Sequence, residues 1–515
     1  MEDAILIIGG DRAALKVAVK LRIQNPNKEV SVFIPSDVFP YRDFSISDFI
    51  NMGIKDFQVF KQRIREYYKS QFNINIFINC SIKSIVPNER KIVVWDHKQK
   101  AEISYGYDTL VLATGSVPSY PSVEGISLDN VYFGDTSQEA VKILDWLDTG
   151  EVKQAVVIGG NLAGIQTAQA LWEKDILVTL VEEREHILPE FDPEIAEMVC
   201  KHMMEKGVEV ITGQQILTLI GNPNGEVVEV HTPEQILTCQ IVIWMTKRKP
   251  DIELAEMAEL PIKDGAIAVA DDMETGIPGV YAVGACAGEK DLYNSALSTE
   301  IARVFDFYIA KTGISAKQAA NAGYDSESVL VAGHDEPMYS YAAEEIIAIL
   351  LADRRTRKLL GAQFLSKSPV RRFADFISGL IAKDGIIDDL TKVSSCSDSN
   401  EFMMLLANAM LDKIDNRYNT ISPVALHKLE GDPNLIILDV RTEAEATISK
   451  IPYSLNIPIR SLEARKEELE KEKTIVIVAK GYTQGRQAYE ILSSYGYNML
   501  KILEGGIMGY PYELE

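Results

Sequence analysis

The stretch Gln154–Glu183, "QAVVIGGNLAGIQTAQALWEKDILVTLVEE", decides the fold. A short apolar run ends in two glycines, a helical pattern follows, and a second apolar run closes on an acidic residue, Glu182. Strand, glycine turn, helix and strand in that order make a βαβ unit. Its turn leaves the first N–H groups of the helix facing a pyrophosphate. Gly159 is expected to make the tight turn, Gly160 to continue it, and Gly164 to let helix and strand pack closely. Glu182, at the end of the second strand, is placed to accept hydrogen bonds from an adenosine ribose and to repel the extra phosphate of NADPH. The unit therefore reads as an NADH site. Its departure is Asn161, which stands at the middle glycine position, crowds the pyrophosphate and still offers a hydrogen bond.

Outward from this unit, the chain opens with a second one. "AILIIGG" and "RAALKVAVKLRIQ" lead into the strand "EVSVFI". Here Gly9 and Gly10 are kept, but Asp11 would face a diphosphate and Pro35 replaces a ribose-binding acid. Between the two units "YDTLVLATGSVPSYP" reads as a buried strand broken by glycine and proline. After the second, "GVYAVGACAG" reads as another strand, so the chain leaves the first domain and returns to it. From Ser326 onward antiparallel strands and helices are expected through Asp415, then a small alternating α/β domain. The expected fold class is α/β with two Rossmann-like nucleotide-binding domains, an α+β dimerisation domain and a small α/β domain. The boundaries are 1–122 with 247–325, 123–246, 326–415 and 420–515.

At 515 residues several domains are required, because one core does not grow that large. Lysine plus arginine number 52 against 75 aspartate plus glutamate, a net charge of −23 that repels nucleic acid and anionic lipid. The five cysteines, Cys80, Cys200, Cys239, Cys286 and Cys396, lack paired spacing, and the six histidines are scattered, so no metal site is expected. No apolar run is long enough to span a bilayer, and the acidic start resembles no targeting segment; the expected compartment is the cytosol.

Met1 to about Asp415 resembles the pyridine nucleotide-disulfide oxidoreductases, in the branch of coenzyme A disulfide reductases, NADH oxidases and persulfide reductases. The likeness rests on the paired nucleotide units, "YDTLVLATGSVPSYP", "HILPEFDPEIAEMVCKHMMEKGVEVITG", "TGIPGVYAVG" and "LLGAQFL". The tail from about Ile421 is similar to a rhodanese domain through "LDVRTEAEA", "IPYSLNIPI" and "ILEGGIMGY". The resemblance implies FAD as well as NADH, hydride transfer from nicotinamide to flavin, and a homodimer formed through the third domain.

Laid on this sequence, the family's roles meet several absences. The redox cysteine falls at about Ser45, which cannot form a disulfide. A different alignment of the same stretch, to cysteine-free ferredoxin reductases and nitrite-reductase flavin domains, keeps Pro40, Tyr41 and Ser47. The rhodanese nucleophile falls at Ala479, so no persulfide forms there. Thr114, Gly115 and Gly284 keep flavin-site positions, but Ala285 replaces the aspartate that holds the ribityl chain, a loss of about 1.5–3 kcal/mol or roughly ten- to a hundredfold in affinity. Gln166 replaces a glutamate near nicotinamide and flavin. Arg22 matches an arginine that contacts coenzyme A phosphates, although a solvated helix face is the better account of it. Cys396, in "KVSSCSDSNEF", reads as a free structural thiol. Two functions remain open. One is an FAD- and NADH-dependent oxidoreductase without thiol chemistry that passes electrons from flavin directly to an unknown acceptor. The other is a catalytically degenerate protein that senses nucleotide or acts as a scaffold through its rhodanese-like tail.

Overall fold

The computed structural model describes residues 4–10, 12–34, 46–52, 57–78, 80–97, 99–134, 137–245, 248–291, 299–337, 339–392 and 400–515. Asp11, Pro35, Pro40, Tyr41, Ser45 and Cys396 lie outside the described residues. The chain divides into two compact units, Met1–Glu185 with Val208–Leu292, and His186–Gly207 with Tyr293–Glu515.

The first unit holds two parallel five-stranded sheets. Strand order in one is Val280–Ala282, Thr109–Leu112, Ala4–Ile8, Glu29–Ile34, Asn75–Ile78. The other runs Glu209–Ile211, Leu177–Val181, Gln154–Ile158, Ile241–Trp244, Val131–Tyr132. These strands read as continuous apolar runs because helices cover both faces of such a sheet; Ala4–Ile8 is buried throughout. The chain leaves the first sheet after Thr109–Leu112 and returns beside that strand as Val280–Ala282, in parallel register Val280↔Leu110 to Ala282↔Leu112.

The second unit contains an antiparallel sheet ordered Thr299–Val304, Phe307–Gly313, Leu359–Ser366, Glu345–Asp353, Ser326–His334. Helices Arg371–Ile381 and Asn400–Ile414 pack their apolar residues, among them Phe373, Phe402 and Met410, onto it. This layer starts before Ser326: the hairpin at 299–313 pairs into it, so those residues do not belong with the 247–325 segment to which the sequence assigns them. The hairpin turns at Phe305, whose φ of 51° is left-handed without a glycine, so the usual turn signal is missing. The C-terminal sheet is parallel, ordered Thr420–Ile421, Leu500–Leu503, Thr474–Val478, Leu435–Asp439, Leu455–Asn456. Among the described residues no helix is long and apolar enough to cross a membrane.

Within this unit the C-terminal sheet is joined to the antiparallel layer by buried charge. Lys413 donates to Glu504 at 2.5 Å and lies 3.2 Å from Glu327. The same Glu504 accepts from the Leu330 N–H at 3.0 Å and the Thr420 hydroxyl at 2.6 Å. Each oxygen lost from water is thus met by a donor, the condition for a buried charge to be tolerated.

Candidate nucleotide site

The strand Gln154–Ile158 runs into Gly159, whose φ of 110° is open to glycine. A Cβ there would stand 2.6 Å from the Met245 carbonyl oxygen, and one on Gly164 would stand 1.9 Å from that of Gly159. Strand, turn and helix approach so closely that neither position accepts a side chain. Asn161 is the N-cap of the helix Leu162–Trp172, its Oδ1 accepting from the Gly164 N–H at 2.9 Å. Its Nδ2 donates to the Met245 carbonyl at 3.4 Å.

Glu182 is 6% exposed. One carboxylate oxygen accepts from the Gly160 N–H at 2.6 Å and the other from the Arg184 N–H at 3.0 Å. A carboxylate offers about four lone-pair directions, so two remain for ribose hydroxyls. Beside it opens a cavity of about 270 Å³ lined by Gly159, Asn161, Glu182, Arg184, Gln214 and Trp244, among others. That is slightly below the roughly 300–1,000 Å³ typical of small-molecule pockets, and suits one end of a dinucleotide. The glycine cradle, the carboxylate and the cavity together fit the nucleoside end of NADH. Gln166 stands half-buried on the helix that Asn161 caps. Arg184, Gln214 and Trp244 escaped the sequence reading. The Glu-Arg pair closing the second strand was a signal for the first; the others come from distant strands and loops and carried none.

The flavin positions divide into backbone and side chain. Gly9 has φ 149°, and a Cβ on it would meet the Ala113 carbonyl oxygen at 1.9 Å. Gly10 follows it, half-buried. Gly284, at φ 77°, would bring a Cβ to 3.1 Å from that of Ala13. Thr114 donates its hydroxyl to the Asp251 carbonyl at 2.7 Å, and the Asp251 N–H donates to the Gly115 carbonyl at 3.0 Å. These contacts pack strand ends and turns closely on one another, the backbone geometry that a nucleotide-binding turn requires. Ala285, by contrast, is exposed and presents a methyl group where the ribityl anchor is wanted. The described backbone turns therefore fit FAD, and this side-chain anchor is lacking.

Arg22 turns back on its own loop, donating to the Pro26 carbonyl at 2.9 Å and to the Lys28 carbonyl. Its guanidinium is engaged there. Ala479 ends the strand Thr474–Val478 and is 1% exposed, its carbonyl accepting from the Ile507 N–H at 3.0 Å. In the loop after it, the Lys480 N–H donates to Gln484 at 2.9 Å, and the Tyr482 hydroxyl donates to buried Asp412 at 2.8 Å. The thiols of Cys80, Cys200 and Cys239 are pushed up to about 11, 11 and 12 by burial, and Cys286 is fully buried. Burial thus disfavours the thiolate of those three cysteines at neutral pH.

Two family models match the chain: pyridine nucleotide-disulphide oxidoreductase over residues 3–305, and rhodanese-like domain over residues 422–511. An NADH oxidase of Methanocaldococcus jannaschii is 28% identical over 80% of this chain and 99% of its own length. An NAD(P)H coenzyme A polysulfide/persulfide reductase of Pyrococcus horikoshii is 25% identical over 76% of this chain and 94% of its own. Among solved structures, the NAD-dependent persulfide reductase from A. fulgidus superposes with a TM-score of 0.86 at 26% identity, covering 98% of this chain and 100% of that one. Relatives in this family are FAD- and NADH-dependent. With two parallel nucleotide sheets carrying the glycine turns, and a family model matching more than half its length, the chain belongs to the pyridine nucleotide-disulphide oxidoreductases.

Proposed function

We propose that the protein is an FAD-dependent NADH oxidoreductase that passes electrons from flavin directly to an acceptor, with no thiol in between. The observation that carries this is buried Glu182, held by the Gly160 and Arg184 N–H groups at the mouth of the glycine-turn cavity. Glu182 orients the adenosine ribose, Gly159 and Gly160 let the backbone approach the pyrophosphate, and Gln166 hydrogen-bonds near the nicotinamide without adding charge. Gly9, Gly10, Thr114, Gly115 and Gly284 would hold the flavin through the backbone, and the flavin would supply the chemistry of hydride acceptance and electron release. Serine at position 45, where the resemblance sets the family's redox cysteine, offers no thiol, and in this reading the flavin is the exit for electrons.

In this reading 1–122 with the returning strand Val280–Ala282 form the flavin domain and 123–246 the NADH domain. The layer up to 415 forms a homodimer interface, and the protein works in the cytosol. Light scattering at the mass of a monomer would refute the dimer. The test of function is NADH-dependent reduction of an artificial acceptor such as ferricyanide by the full chain, abolished in Glu182→Arg. No turnover with any acceptor would overturn it.

A second reading, a nucleotide-sensing scaffold, is favoured by exposed Ala285 and sealed Ala479. It predicts NADH affinity with no turnover and no flavin.

A further inference from the structure

Asn161 departs from the glycine pattern, and its geometry assigns it a task. The first turn of an α-helix carries N–H groups with no partner inside the helix, and these are what a pyrophosphate contacts. In the helix Leu162–Trp172 the Gly164 N–H is already engaged by Asn161 Oδ1 at 2.9 Å. The side chain is fixed from its other end as well, Nδ2 donating to the Met245 carbonyl at 3.4 Å. Asn161 lines the same cavity as Gly159 and Glu182, so the amide stands between the helix end and whatever occupies that cavity. A glycine here would leave the Gly164 N–H without that acceptor, directed at the place beside the cavity that the amide now fills.

We propose that Asn161 is a specificity-determining residue of the nicotinamide site: it withdraws one pyrophosphate donor, and recognition shifts to the nucleoside end held by Glu182. The inference rests on the NADH reading above. It implies that this site discriminates weakly between adenosine and its diphosphate, because the N–H groups of Leu162 and Ala163 remain for the phosphates while that of Gly164 does not.

Calorimetric titration of the full-length protein with adenosine and with ADP tests it, each for the parent, Asn161→Gly and Asn161→Asp. Asn161→Gly frees the donor, and since glycine is a tolerable N-cap the variant keeps its fold. Its preference for ADP over adenosine is expected to rise about tenfold, read as a ratio so that any change at the nucleoside end cancels. Asn161→Asp keeps the cap but sets a negative charge beside the phosphates, and the ADP preference is expected to fall with the melting temperature held. A purely structural cap would move the melting temperature and leave the ratio alone. If parent and variants share one ADP-to-adenosine ratio while NADH still binds, the inference is overturned and the NADH reading stands. If none of the three proteins binds NADH, ADP or adenosine, the reading falls and the inference with it.

Discussion

Glu182 accepts a hydrogen bond from the Gly160 N–H at 2.6 Å, joining the end of one strand to the glycine turn after its neighbour. The contact closes the rim of the cavity and fixes the carboxylate before any ligand arrives. The carboxylate is thereby a structural acceptor, and under the proposed function a ribose acceptor as well.

Its replacement separates those roles. Glu182→Gln keeps one acceptor, for the Gly160 N–H, but its amide nitrogen cannot accept from the Arg184 N–H and the charge is gone, so NADH affinity should fall roughly ten- to a hundredfold with a modest loss of stability. Glu182→Arg should abolish NADH binding. Trp244 lines the cavity, and quenching of its fluorescence on titration with NADH reads both outcomes.

Gly164→Ala should destabilise the first unit by about 1–3 kcal/mol or more, because its Cβ would stand 1.9 Å from the Gly159 carbonyl and the helix must retreat. Urea unfolding of parent and variant measures this. An unchanged midpoint would mean that helix and turn are not so close.

Lys413→Met should cost about 3–5 kcal/mol, since Glu504 and Glu327 lose their cation in a buried place. Burial pulls the Lys413 pKa down, but the two carboxylates more than offset this and it stays above its ordinary value, so the pair is charged at neutral pH. The loss should appear in the unfolding of the second unit, where the antiparallel layer and the C-terminal sheet share the network.

Asp192 carries the pH dependence. Its side chain bridges the Ala316 N–H at 3.1 Å and Gln363 at 2.8 Å, and burial raises its pKa to about 6 from 3.8, with Glu194 adding to the rise. Between those values the folded state holds a proton that the unfolded chain has released. Stability from this group is therefore fully present below the lower value, falls as pH rises through the window, and stays lower above it. The cost above the window is on the order of 2–3 kcal/mol. In Asp192→Asn the extra loss of stability between pH 4 and pH 7 should disappear, whatever the variant's baseline; an identical pH profile would refute the assignment.

The nucleotide-binding architecture was legible wherever a local pattern carried it. Gly159, Gly164 and Glu182 could be assigned from strand, turn and helix periodicity, because βαβ geometry leaves few residues that fit those points. Asn161 was visible as a departure, but its engagement of both Gly164 and Met245 needed coordinates, since Met245 belongs to a distant segment. Arg22 matched a phosphate-binding position by resemblance, and its bonds to the Pro26 and Lys28 carbonyls needed coordinates, since they depend on how the loop folds back on its helix. The hairpin at 299–313 escaped because its turn is made by Phe305 rather than glycine or proline. The network at Lys413 escaped for another reason: residues 327, 413 and 504 come together only through long-range packing.

The central claim is that Ala285 is tolerated and the flavin is the exit for electrons. The visible absorbance spectrum of the protein purified without added cofactor, repeated anaerobically after NADH, tests it most directly. Expected is a bound-flavin spectrum that NADH bleaches in the parent and does not bleach in Glu182→Arg. A colourless protein that takes up no added FAD would contradict it and leave the scaffold reading in its place.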